Sequence, residues 1–189
     1  MGRTKALLPL DGRTFLRRVV TALSLGGCER VLVVVSGAEA PGEPTPPAEA
    51  VAREARAARA DVLVNPEPGE GPITSLRLAL QALDPGVEGI AYLPLDYPLV
   101  TSEAVSTLRR EAAMSGASLT LPTFEDKRGH PAIFRGSLFT ELLDPHLEGG
   151  ARTVVHRHLD EACLVPFDDA SVVTDVDTPE AYAALSGDE

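Results

Sequence analysis

Residues 89–100 read GIAYLPLDYPLV, a short apolar run that ends on a single aspartate, Asp96, between Pro94 and Pro98. Near-continuous apolarity over so few residues predicts a strand covered on both faces, the kind found in parallel sheets with helices packed on each side. In such sheets ligands bind beyond the carboxyl ends of the strands, near the point where strand order reverses. A carboxylate placed there can hold a hard cation such as Mg2+. The alternative is an aspartate that only shapes a turn or caps a helix.

The flanking sequence repeats the same alternation. Upstream, residues 14–25 carry Phe15, Leu16, Val19, Val20 and Leu23 at helical spacing, and Gly26 and Gly27 stop the run. RVLVVVS (30–36) and DVLVNP (61–66) predict strands, separated by a Gly- and Pro-rich loop (37–47) and an alanine-rich helix (48–60). Gly71 and Pro72 open a helix that runs to Pro85, since proline is tolerated in the first turn. Downstream, Thr101 or Ser102 caps a helix over 101–114, and ASLTLPTF (117–124) and PAIF (131–134) predict strands around the polar loop EDKRGH. Two short helices, strands at CLVPFD (163–168) and SVVTDVD (171–177), and a last helix from Thr178 and Pro179 complete the chain. Strands alternating with helices predict an α/β fold: a Rossmann-like three-layer sandwich around a mostly parallel sheet, formed as one domain over residues 1–189.

Composition narrows the function. With 17 Lys and Arg against 28 Asp and Glu, the formal net charge of −11 repels polyanions, so nucleic acid is not an expected partner. The longest apolar run near a strand, residues 31–35, is far below the ~20 residues that span a bilayer, so no membrane segment is expected. Cys28 and Cys163 are widely separated and lack metal-ligand spacing, which fits two reduced core thiols and a cytoplasmic location.

Further candidates stand around Asp96. In an extended segment residues two apart face one side, so Asp175 and Asp177 can present paired carboxylates before the last helix; alternatively, Asp177 only favours that helix's positive end. Arg3, Lys5 and Arg13 crowd the opening, where Lys5 is suited to a triphosphate and Gly2 to close backbone approach, or where the charges are simply solvated. NPEPGEGPITSL (65–76) is a Gly-rich turn into a helix N-terminus, which offers N–H groups to an anion or a base edge. His156 and His158, two apart on a helix, diverge and cannot form a zinc pair. His130 lies in a polar loop with Lys127 and Arg128 just before a strand.

Taken together, KALLPLDG, NPEPGEGPITSL, LPLDYPLV, RGHPAIF, GGAR and DVDTPEAY resemble, in order, the motifs of the molybdenum cofactor cytidylyltransferase family and its wider NTP-transferase group, which includes the molybdopterin guanylyltransferases. The resemblance implies transfer of CMP, or another nucleotide, from an NTP to a phosphorylated acceptor, with Mg2+ as cofactor and release of pyrophosphate. It implies molybdopterin as the acceptor, CTP as the favoured NTP and a molybdoenzyme as a further partner. By motif, Lys5 and Asp96 would serve catalysis. Gly2, Lys5, Asn65, Gly71 and Ser75 would bind the nucleotide, Asp96 with Asp175 or Asp177 the metal, and His130 and Arg152 the acceptor. RGHP and GGAR favour the cytidylyl branch.

Members of that family begin with a hydrophobic strand and a loop of the type LAAGxSxRMGxxK, of which MGRTK here matches only the tail. The expectation is therefore an N-terminally shortened domain in which VLVVV (31–35) pairs directly with IAYLP (90–94), or in which a strand contact forms between molecules, because unpaired buried backbone is costly. The alternative function is an accessory protein for molybdoenzyme maturation that binds without transferring.

Overall fold

The computed structural model describes residues 4–37 and 48–186. Two short antiparallel strands, β1 (Pro9–Leu10) and β2 (Arg13–Thr14), lead into α1 (Phe15–Leu25), β3 (Leu32–Ser36), α2 (Ala48–Ala57) and β4 (Asp61–Asn65). Then come α3 (Pro72–Gln81), β5 (Gly89–Tyr92), α4 (Ser102–Ser115), β6 (Leu119–Phe124), β7 (Lys127–Arg128) and β8 (Ala132–Arg135). The remaining elements are α5 (Phe139–Leu143), α6 (Ala151–Arg157), β9 (Cys163–Pro166) and α7 (Pro179–Ser186). The loop expected at 37–47 lies, apart from Gly37, outside the described residues.

Helix ends follow the local chemistry. The Thr14 hydroxyl accepts the Arg17 N–H, Thr101 accepts that of Ala104, and Thr178 accepts that of Ala181, so α1, α4 and α7 each begin on a side-chain cap. Thr14 also donates to Glu54, which accepts Arg17 Nε at 2.9 Å, and this ties α1 to α2. At the other end of α1, a Cβ on Gly26 would stand 2.5 Å from the Val105 side chain, so the glycine lets α1 close onto α4.

The strands sort their side chains into two cores, as a three-layer sandwich requires. Along β5, Ala91 faces α1 and α4 while Ile90 and Tyr92 face Leu76 and Leu80 of α3. Along β8, Ile133 packs with Leu108 and Ala112 of α4, while Ala132 and Phe134 join Leu138, Leu142 and Val154 of the opposite layer. The fold is the expected α/β sandwich, but its strand pairing is mixed rather than mostly parallel. β3 with β4 and β6 with β9 are parallel; β5 with β8 and β6 with β8 are antiparallel. The reason is the short 125–131 connection, which turns β6 back on itself through β7 and is too short for a parallel crossover.

Two other expectations fail. Residues 171–177 do not form a strand: the Asp169 carboxylate accepts both the N–H and the hydroxyl of Ser171, winding residues 170–172 into a 3-10 turn. The direct pairing of 31–35 with 90–94 does not form either. Val33 and Ala91 pack against the same helical layer, yet among the described residues β3 pairs only with β4 and β5 only with β8. A seam separates the two sheets. Its strands stay half-buried, with Leu32, Val33, Val34, Ile90, Ala91 and Tyr92 all partly accessible.

Two measurements check this architecture. Amide exchange should be faster for β3 and β5 than for β6, which is paired along both edges; equal protection would mean that the seam is closed in solution. Thr120 is fully buried and its hydroxyl has no partner, so Thr120→Val should leave stability unchanged or raise it by about 1 kcal/mol in chemical denaturation, since an unsatisfied buried hydroxyl is costly.

Candidate functional site

Beyond the carboxyl end of β5 the chain turns through Pro94 and Pro98 and carries Asp96 to the top of the sheet. The Asp96 carbonyl accepts the N–H of Val176, which brings in the segment before α7. Val176 is fully buried while Asp175 and Asp177 are exposed, so the two carboxylates share a side as the spacing predicts. Lys5, in a single 3-10 turn (Lys5–Leu7), completes the meeting. Its Nζ donates to Asp96 Oδ1 at 2.7 Å and also to Asp177 Oδ1.

This trio is polar but not dry, with side-chain exposures of 23% for Lys5, 37% for Asp96 and 57% for Asp177. Burial pulls the Lys5 ammonium down, but the hydrogen bonds it donates to Asp177 and Asp96, with the charges of both, outweigh it and hold the pKa above its ordinary value. The same hydrogen bond with Lys5 lowers the Asp177 carboxyl. Asp175 is not in this contact; its charge, with those of Asp96 and Asp177, raises Tyr97 further after burial has done so. Among the described residues no three His, Cys, Asp or Glu side chains group as metal ligands. Two carboxylates that already share one cation do suit a hard divalent ion whose remaining ligands come from phosphate oxygens and water.

Beside the trio opens a cavity of about 840 Å³ whose walls include Tyr92, Tyr97, Arg128, His130, Arg152 and His156. His130 packs against Tyr97 with ring centroids 4.6 Å apart and the planes tilted by 57°, and meets the edge of Tyr92 at 6.1 Å. Its backbone N–H donates to the Val172 carbonyl at 2.8 Å, and its Nδ1 is buried without a partner. Burial lowers its pKa, offset in part by a backbone hydrogen bond with Tyr92, so the ring is neutral near pH 7. Gly129 makes this approach feasible, because a Cβ there would lie 1.9 Å from the Val172 carbonyl oxygen.

The structure thus brings Lys5, Asp96 and Asp177 together and places Gly71, His130 and Arg152 on the neighbouring cavity. Gly71 takes φ +92° at the start of α3, a backbone conformation that favours glycine. Asn65 is 3% exposed and spends its polar atoms locally: Nδ2 donates to Thr74 and Ser75, and Oδ1 accepts the Glu67 N–H. It fastens β4 to the start of α3, and only the Ser75 hydroxyl proton remains to donate from that pair. Gly2 lies outside the described residues. Sequence reasoning passed over Tyr97, part of the cavity wall, although it stands next to Asp96; a residue following a candidate ligand at a strand end was the available signal.

Residues 1–163 match the family described as MobA-like NTP transferase domain. No curated protein matches the chain. Among solved structures, Rv0371c from Mycobacterium tuberculosis H37Rv is similar with a TM-score of 0.79 and 25% identity, covering 99% of this chain and 90% of that one. Its complex with manganese is similar at 0.75 and 25%, covering 98% and 93%. Molybdopterin-guanine dinucleotide biosynthesis protein A from Archaeoglobus fulgidus shares the fold at 0.66 with 18% identity, over 97% and 89%.

The buried His130 ring sets a pH dependence. The unfolded ring titrates near about pH 6.5 and the folded one lower, so below that value the unfolded chain binds more protons. The stability it contributes is complete above about pH 6.5 and is lost as pH falls. Thermal unfolding between about pH 5 and 7.5 should show this slope in the wild type and a shallower one in His130→Gln.

Proposed function

The chain belongs to the MobA-like NTP transferase family, and from that membership we propose that it transfers CMP from CTP to a phosphorylated acceptor, molybdopterin in the first instance, and releases pyrophosphate. The observation that carries the reading is the Lys5 ammonium shared by Asp96 and Asp177 beyond the carboxyl end of β5, next to a cavity large enough for a second substrate. A cation and a triphosphate are the ligands such a set is built to balance.

Asp96 and Asp177 would hold the divalent ion, Mg2+ being the expected one. When bound, that ion supplies charge neutralisation on the phosphates and order at the reacting centre. Similarity to a manganese-bound Rv0371c supports divalent-metal use. Lys5, freed from its carboxylates, would meet the phosphates. Gly71 and Ser75 would border the base and ribose, while Asn65 holds that loop in place. An acceptor phosphate oxygen bonds to the α-phosphorus as the bond to the β-phosphate oxygen breaks, and the electron pair leaves with pyrophosphate. No protein nucleophile is needed, so the side chains position groups and oppose developing charge. RGHP and GGAR, with His130 and Arg152, support the acceptor side and the cytidylyl preference. A CTP complex of a fold relative, the CMP:2-keto-3-deoxy-manno-octonic acid synthetase at 14% identity, is in keeping with CTP.

The seam between β3 and β5 favours a second reading, an accessory protein for molybdoenzyme maturation that binds without transfer. Calorimetry with CTP and GTP, each with Mg2+ or Mn2+, separates the two when joined to a pyrophosphate-release assay. The transferase reading expects metal-dependent CTP binding, and a loss of at least about 100-fold in release rate for Asp96→Asn. Binding with no release in the wild type would favour the accessory role, and no binding of any NTP would sink the transferase reading.

A further inference from the structure

The cavity beside Tyr97 has a charge pattern that the nucleotide chemistry does not use. Several arginines of this acidic chain are paired: Arg17 with Glu54, Arg30 with Asp61 and Asp84, Arg18 with Asp11. The short helix α6 shows the contrast within two turns. Arg157, with His158 just after the helix, converges on Glu141, each at 2.7 Å. Arg152 and His156, four residues apart and so on one face, instead turn to the cavity, while Val154 is fully buried on another side. Arg128 reaches the same cavity from β7. None of these three has a hydrogen-bond or ion-pair partner among the described residues, and the single acidic side chain on the cavity wall is Glu70.

Lys5, Asp96, Asp175 and Asp177 do not line this cavity, so Arg128, Arg152 and His156 stand apart from the carboxylates. We infer that Arg128, Arg152 and His156 form an anion clamp, which holds a phosphate-class group of the acceptor independently of metal and nucleotide. Arg128 and His156 thereby join Arg152 as determinants of which acceptor is taken: one with an anionic group, and not a neutral alcohol or amine. Guanidinium groups suit this task because their planar donors match phosphate oxygens. In a chain of net charge −11 the two arginines also create a local positive field that draws such an anion to this face. Assignment of the bound group to the acceptor rests on the transferase reading above; the clamp itself does not.

The test uses inorganic phosphate as probe, titrated calorimetrically into the full chain with metal removed by EDTA. The wild type should bind one phosphate per chain with an affinity that falls as salt rises. Arg128→Met with Arg152→Met should weaken it at least about 10-fold, and His156→Gln about 3-fold, as expected for lost charge-assisted contacts. Arg157→Met, on the same helix but paired with Glu141, should leave phosphate binding unchanged. Binding of CTP with Mg2+ should stay within about twofold in all of these variants, and thermal melts confirm that each is folded. The clamp is overturned if the wild type takes up no phosphate, if the double variant binds it equally well, or if CTP affinity falls in parallel, which would assign the arginines to the nucleotide. Arginine-dependent phosphate binding in a wild type that ignores every NTP would support the clamp while removing the transferase reading.

Discussion

One ammonium group joins the first turn of the chain, the loop after β5 and the segment before α7. Without Lys5, Asp96 and Asp177 would face each other across a solvent-touched notch as like charges, and each would raise the other's cost of ionisation. A cation between them is therefore demanded by the fold. Around it the two chain ends are stapled: Phe15 and Val176 are fully buried together with Leu8 and Leu10, the Tyr182 hydroxyl donates to the Pro9 carbonyl, and Val176 donates to Asp96. The same contacts that close the fold also present two carboxylates at the end of a strand. Stability and candidate chemistry share one set of residues.

From that point the site divides by charge. The carboxylate pair lies outside the basic cavity, whose wall includes Tyr97, packed against His130 and next to Asp96 in the chain. His130 is held neutral by burial, so it shapes the cavity without adding a fixed charge, and the positive field there comes from the arginines. Such a division suits a reaction that must bring two anionic substrates together, because each phosphate group meets its own counter-charge before the two approach.

Much of this was legible residue by residue. The apolar period of α1, the threonine caps of α4 and α7, the proline opening of α3 and the alternation of Asp175, Val176 and Asp177 follow from short-range rules that the tertiary structure had no reason to overturn. Asp96 was legible for the same reason, as a polar residue where a buried strand ends. Asn65 was harder, because an asparagine at a strand end can meet a ligand or tie its own loop. Only the positions of Thr74, Ser75 and the Glu67 amide decide for the second. The strand expected at 171–177 does not form because the Asp169 carboxylate captures Ser171 and turns the chain.

The sequence by itself determined the layer order of helices and strands, the α/β class and the group of residues gathered above the sheet, since these depend on periodicity, caps and strand ends. Only the tertiary structure decided which strands pair and in which direction, that β3 and β5 stay apart, and that Lys5 lies between Asp96 and Asp177 and not free toward solvent. The reason is physical. Periodicity is a property of neighbours along the chain, whereas a ladder or a shared ammonium depends on where segments 91 or 172 residues apart arrive in space.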